Sequence, residues 1–462
     1  MKICIALMAL TICVQATAQP NVDSIYIKKI ANHALIQGKA YTQLRVLCKQ
    51  IGHRLSGSPA MYKAEAWGSA TLAQYGADTV YTQPCQVTHW VRGAKENGSY
   101  KWISQQGETV QTAEKNIDIL SLGNAVGTGA QALKADVLLI NNFEELEAKK
   151  DQAKGKIVFF NYAFDQTYIR TSTGYGNAVT YRTQGASKAA KYGAVASIVR
   201  SVSTSPDNNP HTGTVKYNDS FAKIPAFAVG VQDADNMAQL LKTGKLIVTL
   251  QSSCATLPDT LAHNIIAEIR GAKNPNNIIT IGGHLDSWDV GEGAQDDGAG
   301  VVQSMEVINI LKSIGYTPNN TIRVVLFANE ENGLGGGNMY ASQAGKGNQM
   351  HIAAIETDAG GYSPRKFGGS KSDVQYAKFK AWLPLLFPYG IDELTQSGGG
   401  ADIGPLYTLY KTPTIGLQTD GQRYFDLHHS KTDVYENVNK RELHLGAATI
   451  TALVYLIDKY GL

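Results

Sequence analysis

The segment GGHLDSWDVGEGAQDDGAG, residues 282–300, holds one histidine, five acidic residues and six glycines. It continues the apolar run NIITIGG, so its charges lie at the end of a candidate strand. Carboxylates crowded into one loop repel each other, and a shared cation relieves that repulsion. Three further apolar runs also end in such residues, namely VVLFAN before Glu330 and Glu331, IAAIET before Asp358, and TPTIGL ahead of His428, His429 and Asp433.

In open α/β sheets the binding crevice lies outside the carboxyl ends of the strands, so these side chains are expected to converge there. Imidazole and carboxylate donors without a thiolate suit Zn²⁺; Mn²⁺ and Co²⁺ accept the same donors, whereas Ca²⁺ binds histidine poorly. Asp296 can offer one oxygen to each of two ions, and the other candidates supply about two ligands per ion. This ligand count predicts a two-metal hydrolytic site with open positions for water.

Some acidic positions in this segment have alternative interpretations. Asp286 lies two residues after His284 and could orient that imidazole, although an aspartate in a Gly-rich loop also fits a turn. Asp296 and Asp297 precede the helical run GAGVVQSMEV, where carboxylates often cap a helix. One of these two aspartates can be the cap while the other binds metal.

The elements that must position these residues alternate between strand and helix after residue 256. Strands that are apolar on both faces, interleaved with helices, predict an α/β fold with a mixed sheet flanked by helices. The last run, KRELHLGAATITALVYLIDKYG, predicts a long amphipathic helix packed on this sheet. Residues 117–255 have a different texture of short β-rich runs and Gly-rich turns, which predicts an inserted β-rich domain.

The first residues, MKICIALMALTICVQATAQ, combine a Lys2 n-region, an apolar stretch and an A-x-A site, which is typical of a signal peptide. The protein is therefore expected to be exported, either to a periplasm or out of the cell. The predicted limits are 1–18 for the signal peptide, 19–116 and 256–462 for the discontinuous sheet domain, and 117–255 for the insertion.

Composition excludes several function classes. The 462 residues include 42 basic and 39 acidic side chains without a basic block, so no nucleic-acid partner is expected. No stretch after the signal peptide approaches the ~20 apolar residues of a membrane span. Cys48, Cys85 and Cys254 remain after cleavage, which allows one disulfide at most and no cysteine metal cluster.

The motifs resemble those of peptidase family M28, a family of zinc exopeptidases. GGHLDSWDVGEGAQDDGAG, ANEENG, ETDAGG and HHSKTD occur in the order of that family, and IGHRLSGS, THWVRG, YRTQGA and PHTG extend the likeness over nearly the whole chain. The resemblance implies the zinc exopeptidase fold, a protease-associated-like insertion at 117–255, a peptide substrate, two Zn²⁺ per chain and a homodimer.

The resemblance also implies a role for each site residue. The metal ligands would be His284 and Asp358 for one zinc, Glu331 and His429 for the other, and Asp296 as the bridge. Glu330 would be the general base, and Asp286 would be the partner of His284. His429 is preferred to His428 because the family pattern has a histidine four residues before an aspartate, here Asp433.

Two other function classes remain open. A non-catalytic binding protein on the same fold would be expected to have lost some of the ligands, and an aminoacylase-type amide hydrolase would share the metal chemistry. Within the peptidases, an aminopeptidase would place an acid near the substrate amine, whereas a carboxypeptidase would place Arg, Lys or backbone N–H groups near the carboxylate. The sequence does not locate either pocket.

Overall fold

The structure, a computed structural model, describes residues 21–104 and 113–462, so the predicted signal peptide at 1–18 lies outside the described residues. Within the described residues the chain forms sixteen strands: β1 Thr79–Val91, β2 Asn97–Ser104, β3 Lys115–Ile117, β4 Ile119–Ser121, β5 Leu133–Ile140, β6 Ile157–Phe160, β7 Ala196–Arg200, β8 Ala226–Val229, β9 Gly244–Gln251, β10 Ala255–Ile269, β11 Asn274–His284, β12 Asn320–Phe327, β13 Met350–Glu356, β14 Pro364–Gly368, β15 Glu393–Thr395 and β16 Thr414–Thr419.

The α-helices of the same residues are α1 Val22–Gln37, α2 Ala40–Val46, α3 Pro59–Gln74, α4 Phe143–Ala148, α5 Thr171–Ala190, α6 Val231–Leu241, α7 Ala299–Ser313, α8 Gly335–Ala344, α9 Asp373–Ala381, α10 Leu383–Leu386, α11 Gly404–Tyr410, α12 Tyr424–Leu427 and α13 Lys440–Tyr460.

The first sheet has the order β1-β10-β12-β11-β13-β16-β14-β15. Its strands β12, β11, β13 and β16 run parallel to their neighbours within this group, whereas β1, β10 and β14 add antiparallel pairings. The mixed sheet expected from the sequence is therefore confirmed. Because these four strands are parallel, their carboxyl ends meet at one edge of the sheet.

Helices cover both faces of this sheet, as predicted. The larger core cluster joins one face to α1, α3, α7 and α13, and a smaller cluster joins the other face to α8 and α11. Every residue of β12 is buried, which fits a strand that lies between two helical layers. This burial fixes the register of the strands, and with it the positions of the loops that follow them.

The last helix, α13, differs from the amphipathic pattern that the sequence predicted. It is buried at nearly every position from Leu443 to Asp458, where it contacts both α1 and α7. Thr449 and Thr451 tolerate this environment because their hydroxyls donate to backbone carbonyls of the preceding turn. α13 is therefore an internal helix. Its polar residues form hydrogen bonds within the helix, and in the sequence these residues gave it an amphipathic pattern.

A second sheet has the order β3-β2-β9-β5-β6-β7-β8-β4. We call this sheet with α4, α5 and α6 the second-sheet unit. Its strand β2 pairs along its length with β9, although the polar and aromatic residues of β2 form no apolar run. The limits 117–255 and the protease-associated-like character of the insertion stay predictions.

Two tryptophans join the two sheets beside the segment that begins at residue 282. Trp90 of β1 and Trp288 have ring centroids 6.3 Å apart at an interplanar angle of 78°, and both belong to one buried cluster with residues of the second-sheet unit. Nε1 of Trp90 donates to the carbonyl oxygen of Ala125 at 2.8 Å. The ring of Trp288 lies so close to Gly123 that a Cβ there would stand 1.8 Å from it.

Cys48, Cys85 and Cys254 are buried free thiols, so the single disulfide that the count allowed is not formed. No helix within residues 21–104 and 113–462 combines the length and the apolar character that crossing a membrane requires.

The burial of the centre of the first sheet leads to a prediction about the free energy of unfolding. Leu326→Ala, in β12 at 0% exposure, is expected to lower the free energy of unfolding by about 2–5 kcal/mol, because a cavity replaces packed methyl groups. Leu261→Ala, on β10 at 49% exposure, is the matched control with an expected loss below about 1 kcal/mol. Urea unfolding followed by circular dichroism measures both values, and equal losses would contradict the assigned core.

Candidate metal centre

Four parallel strands bring the candidate ligands to one edge of the first sheet. His284 is the last residue of β11, and Glu330 and Glu331 come shortly after β12. Asp358 comes directly after β13, and His429 follows α12, the helix beyond β16. The structure thus places these side chains together at the edge that the sequence indicated.

Asp296 lies at the centre of the cluster. Its Oδ1 is 3.2 Å from Nε2 of His284, and its Oδ2 is 3.1 Å from Nε2 of His429. Nε2 of His429 is also 3.2 Å from Oε2 of Glu331, and Nε2 of His284 is 3.9 Å from Oδ1 of Asp358. Zinc bonds to N and O are about 2 Å long, so ligand atoms within ~4 Å of each other can share one ion.

Three more carboxylates surround this cluster, and the backbone stabilises each of them. Asp286, Asp297 and Asp433 are buried, and each accepts two main-chain N–H groups. The donors are Glu330 (3.0 Å) and Glu331 (3.3 Å) for Asp286, His284 (3.1 Å) and Gly300 (3.1 Å) for Asp297, and Gln295 (2.7 Å) and Asp296 (3.1 Å) for Asp433. Asp297 thus accepts an N–H in the first turn of α7, whereas Asp296 faces the histidines.

Asp286 orients His284 through its main chain. Nδ1 of His284 is 3.0 Å from the carbonyl oxygen of Asp286, but 3.9 Å from the nearer carboxylate oxygen. A carbonyl only accepts, so Nδ1 carries a proton, and Nε2 is the ring nitrogen that faces Asp296 and could bind a metal. The carboxylate of Asp286 instead fixes the amides of the two glutamates that follow β12.

Both adjacent histidines lie at the cluster, although the sequence analysis kept only His429. Nε2 of His428 is 3.4 Å from Oδ2 of Asp296, and the two imidazoles stack with centroids 3.5 Å apart. His429 has a φ of 63°, a left-handed conformation that is uncommon outside glycine and that turns its ring toward the carboxylates. Its Nδ1 is 3.2 Å from the carbonyl oxygen of Thr212.

Burial and mutual repulsion shift the pKa values of the cluster. Burial, with repulsion from Asp296, raises the pKa of Glu331 to about 7. Burial raises the pKa of Glu330 well above its usual range, and Asp358 and Glu331 add to this shift. Burial favours the neutral ring of His429, yet Glu331 and Asp296 raise its pKa to about 10. The cluster therefore carries more negative charge than its protein surroundings compensate, and a divalent cation would balance it.

A cleft of about 740 Å³ opens onto this cluster. Glu330, Asp358 and Tyr424 line it from the first sheet, and Tyr175 and Arg182 line it from α5 of the second-sheet unit. The hydroxyl of Tyr424 donates to Oδ1 of Asp358 at 3.5 Å. Burial, followed by Asp296 and Asp358, raises the pKa of Tyr424, so its hydroxyl keeps a proton to donate.

Two arginines at the site were not found by sequence reasoning. Arg54, which belongs to the motif IGHRLSGS, is fully buried and donates to the carbonyls of Leu285, Glu292 and Gly293 at 2.5–3.0 Å. Its neighbour His53 is exposed, as a turn residue would be. Arg182 belongs to the motif YRTQGA, which pointed to a family but to no role. The available sequence signal for both arginines was that they lie within the motifs IGHRLSGS and YRTQGA.

An α/β sheet with imidazoles and carboxylates at the carboxyl ends of its parallel strands defines the class of metal-dependent hydrolases. The model of Peptidase family M28 matches residues 264–454. Carboxypeptidase Q of Homo sapiens is 34% identical over 432 residues, which cover 93% of this chain and 88% of that protein; the Mus musculus protein of the same name is 33% identical over the same length and shares. The chain belongs to peptidase family M28, as its motifs predicted.

Solved structures agree with this assignment. A peptidase M28 precursor from Shewanella amazonensis superposes with a TM-score of 0.88 at 29% identity, covering 95% of this chain and 97% of that one. A zinc aminopeptidase from Bacillus subtilis has the same fold, with a TM-score of 0.64 at 20% identity over 92% of this chain and 94% of its own.

The two backbone hydrogen bonds that Asp433 accepts lead to a prediction about metal affinity. Asp433→Ala leaves the amides of Gln295 and Asp296 without their acceptor and loosens the central carboxylate. We expect the affinity for Zn²⁺ to fall by about 10–100-fold, measured by competition with a chromophoric chelator. Asp420→Ala, which removes an exposed carboxylate paired with Arg365 at 3.0 Å, is the control with unchanged affinity. Equal affinities in the two variants would exclude this role of Asp433.

Proposed function

We propose that the chain is an exported two-zinc exopeptidase that hydrolyses dipeptides or short peptides. The observation that carries this proposal is the convergence of two imidazoles and two further carboxylates on Asp296, whose two oxygens face different histidines. The family assignment supports it, as do relatives named carboxypeptidase Q and probable leucine aminopeptidase 2 and a structural neighbour named zinc aminopeptidase.

The residues fit zinc by the chemistry of their donors. Imidazole nitrogen and carboxylate oxygen are zinc ligands, and Oδ2 of Asp296 is buried without an aligned hydrogen-bond donor. His284 and Asp358 would hold one ion, Glu331 and His429 the other, and Asp296 would bridge them. Each ion would thus have three protein ligands, which leaves positions for water and substrate. His428, 3.4 Å from Asp296, is a further donor at the same cluster.

When bound, zinc lowers the pKa of water and polarises the substrate carbonyl. Glu330 then acts as the general base: it takes a proton from the attacking water and passes it to the amine that leaves when the peptide C–N bond breaks. Asp286 positions this base because its carboxylate accepts the Glu330 N–H at 3.0 Å. The carboxylate of Glu330 lines the cleft, where a substrate can reach it.

Tyr424 is placed to stabilise the oxyanion that forms on the attacked carbonyl. Its hydroxyl keeps its proton and lines the same cleft as Glu330. Donors fixed before the reaction stabilise developing charge without reorganisation. Packing in the aromatic group with Phe425 and His428 holds the ring of Tyr424.

The complete ligand set distinguishes this proposal from a non-catalytic binding protein, which has no need to keep a general base beside all five ligands. An aminoacylase-type hydrolase would use the same cluster, and N-acylated amino acids tested beside dipeptides separate the two. Export to a periplasm or out of the cell by the 1–18 signal peptide, and assembly as a homodimer, complete the proposal.

Replacement of the general base tests the mechanism. Glu330→Gln keeps the shape of the side chain but cannot accept the proton, so kcat on a dipeptide is expected to fall by about 10²–10⁴-fold. Zinc content, measured by mass spectrometry of the metal, is expected to stay at two ions per chain. Glu436→Gln, an exposed glutamate paired with Lys49 at 2.6 Å, is the control with wild-type kcat. Full activity in Glu330→Gln would exclude Glu330 as the base.

Metal removal tests the requirement for zinc. Dialysis against a chelator is expected to abolish dipeptide hydrolysis, and two equivalents of Zn²⁺ are expected to restore it, because the cluster supplies no other source of an activated water. Activity that survives with no bound metal would overturn the proposal. Restoration by a single equivalent would instead reject the two-ion count.

A further inference from the structure

Arg182 is a buried cation at the wall of the catalytic cleft. It lies on α5, is 6% exposed, and lines the cleft together with Glu330 and Asp358. In the described part of the chain its guanidinium contacts Thr212 O at 3.4 Å, Nδ1 of His429 at 3.4 Å and the hydroxyl of Tyr175 at 2.9 Å. The Thr212 carbonyl and the Tyr175 hydroxyl are uncharged, and His429 belongs to the candidate metal cluster, so none of the three is an acid that pairs with Arg182.

The contacts leave the hydrogen-bonding capacity of Arg182 incompletely used. A guanidinium has five N–H donors, and the buried Nε of Arg182 has no hydrogen-bond partner among the described residues. A buried charge without an opposite charge is unfavourable, so a structural arginine normally pairs with an acid. A guanidinium that faces a cleft and lacks such a pair is suited to bind an anion with its planar fork.

The backbone at Gly213 leaves room for the side chain of Arg182. Gly213 has a φ of +128°, and a Cβ at that position would stand 2.4 Å from Cζ of Arg182. The backbone of the PHTG segment therefore lies close to the guanidinium. The hydroxyl of Tyr175, two turns earlier on α5, accepts a hydrogen bond from the same guanidinium. Lys216 also lines the cleft, but it is exposed, whereas Arg182 is packed against the backbone.

The position of Arg182 selects the end of the substrate that is bound. Nη1 of Arg182 is 3.4 Å from Nδ1 of His429, and Nε2 of the same ring is 3.1 Å from Asp296 and 3.2 Å from Glu331, where the scissile carbonyl would lie. In a peptide the C-terminal carboxylate lies one residue beyond the last peptide bond, a span of about 3.5 Å in an extended chain. We propose that Arg182 binds the C-terminal carboxylate of the substrate, which makes the enzyme a dipeptidase or carboxypeptidase that removes one C-terminal residue.

This inference rests on the proposed function and adds its substrate class. It also assigns the specificity residue to the second-sheet unit, whereas the metal ligands and the general base belong to the first sheet. The alternative is that Arg182 only ties α5 to the Thr212 backbone, in which case its loss would affect all substrates alike.

The test compares a free dipeptide with the C-terminal amide of the same dipeptide. Wild-type protein loaded with Zn²⁺ is expected to prefer the free acid in kcat/KM. Arg182→Met keeps the length of the stem and removes the charge, so the acid-to-amide ratio is expected to fall by about 10–100-fold, mainly through KM of the acid. Arg182→Lys keeps a point charge without the fork and is expected to lower the ratio by about 3–10-fold. Arg170→Met, which removes an exposed arginine beside the same helix, is the control with an unchanged ratio.

Zinc content is measured for every variant, because Arg182 lies beside His429. A wild-type ratio in Arg182→Met, or in Arg182→Lys if the first variant does not fold, overturns the inference. Equal rates on acid and amide in the wild type also overturn it while leaving the proposed peptidase intact. A wild type that holds zinc yet hydrolyses neither substrate rejects the proposed function itself.

Discussion

Repulsion between buried carboxylates is the constraint on which this site depends. Seven of the acidic side chains around the edge where the parallel strands end fall into two groups. Asp286, Asp297 and Asp433 each accept two backbone N–H groups, which favour the charged form, although burial raises the pKa of all three. The other four face imidazoles or the cleft, so a metal ion is the natural counter-charge for them. The outer group thus has two backbone donors for each carboxylate, whereas in the inner group Glu331 accepts one, from Trp288 at 3.2 Å, and a metal ion would supply the remaining counter-charge.

The fold explains how so much charge can be held in place. Helices bury both faces of the central strands, so the strand ends cannot shift to relieve the repulsion. Arg54, although far away in sequence, anchors the metal-binding segment by three carbonyls and adds a buried positive charge beside it. Asp289 and Glu292 of the same segment turn away from the cluster and pair with Arg92 and Lys49. The acidic loop therefore serves two purposes, since these two carboxylates form ion pairs and the others remain at the cluster.

The sequence predicted the site where a local pattern marked it and failed where only tertiary structure does. Glu330 and Asp358 were recognisable because each directly follows an apolar strand. From the residues alone, either Asp296 or Asp297 could stabilise the helix start, and only the resemblance assigned Asp296 to the metals. In the structure Asp297 accepts the Gly300 N–H in the first turn of α7, whereas Asp296 faces the histidines. Arg182 lies in the motif YRTQGA, which indicated a family but no role, because its place at the cleft depends on the packing of a second sheet against the first.

The contact between the two sheets gives the metal centre and the cleft wall a common support. Thr212 of the second-sheet unit pairs with His429 through the backbone, its N–H donating to the His429 carbonyl at 2.9 Å, and its own carbonyl lies 3.2 Å from Nδ1 of that ring. This carbonyl requires the proton on Nδ1, so Nε2 is left free to bind metal. A ligand that binds only the assembled site stabilises the assembly. A metal ion bound at His429 would therefore favour docking of the second-sheet unit, and docking would favour the metal-binding tautomer of the same histidine.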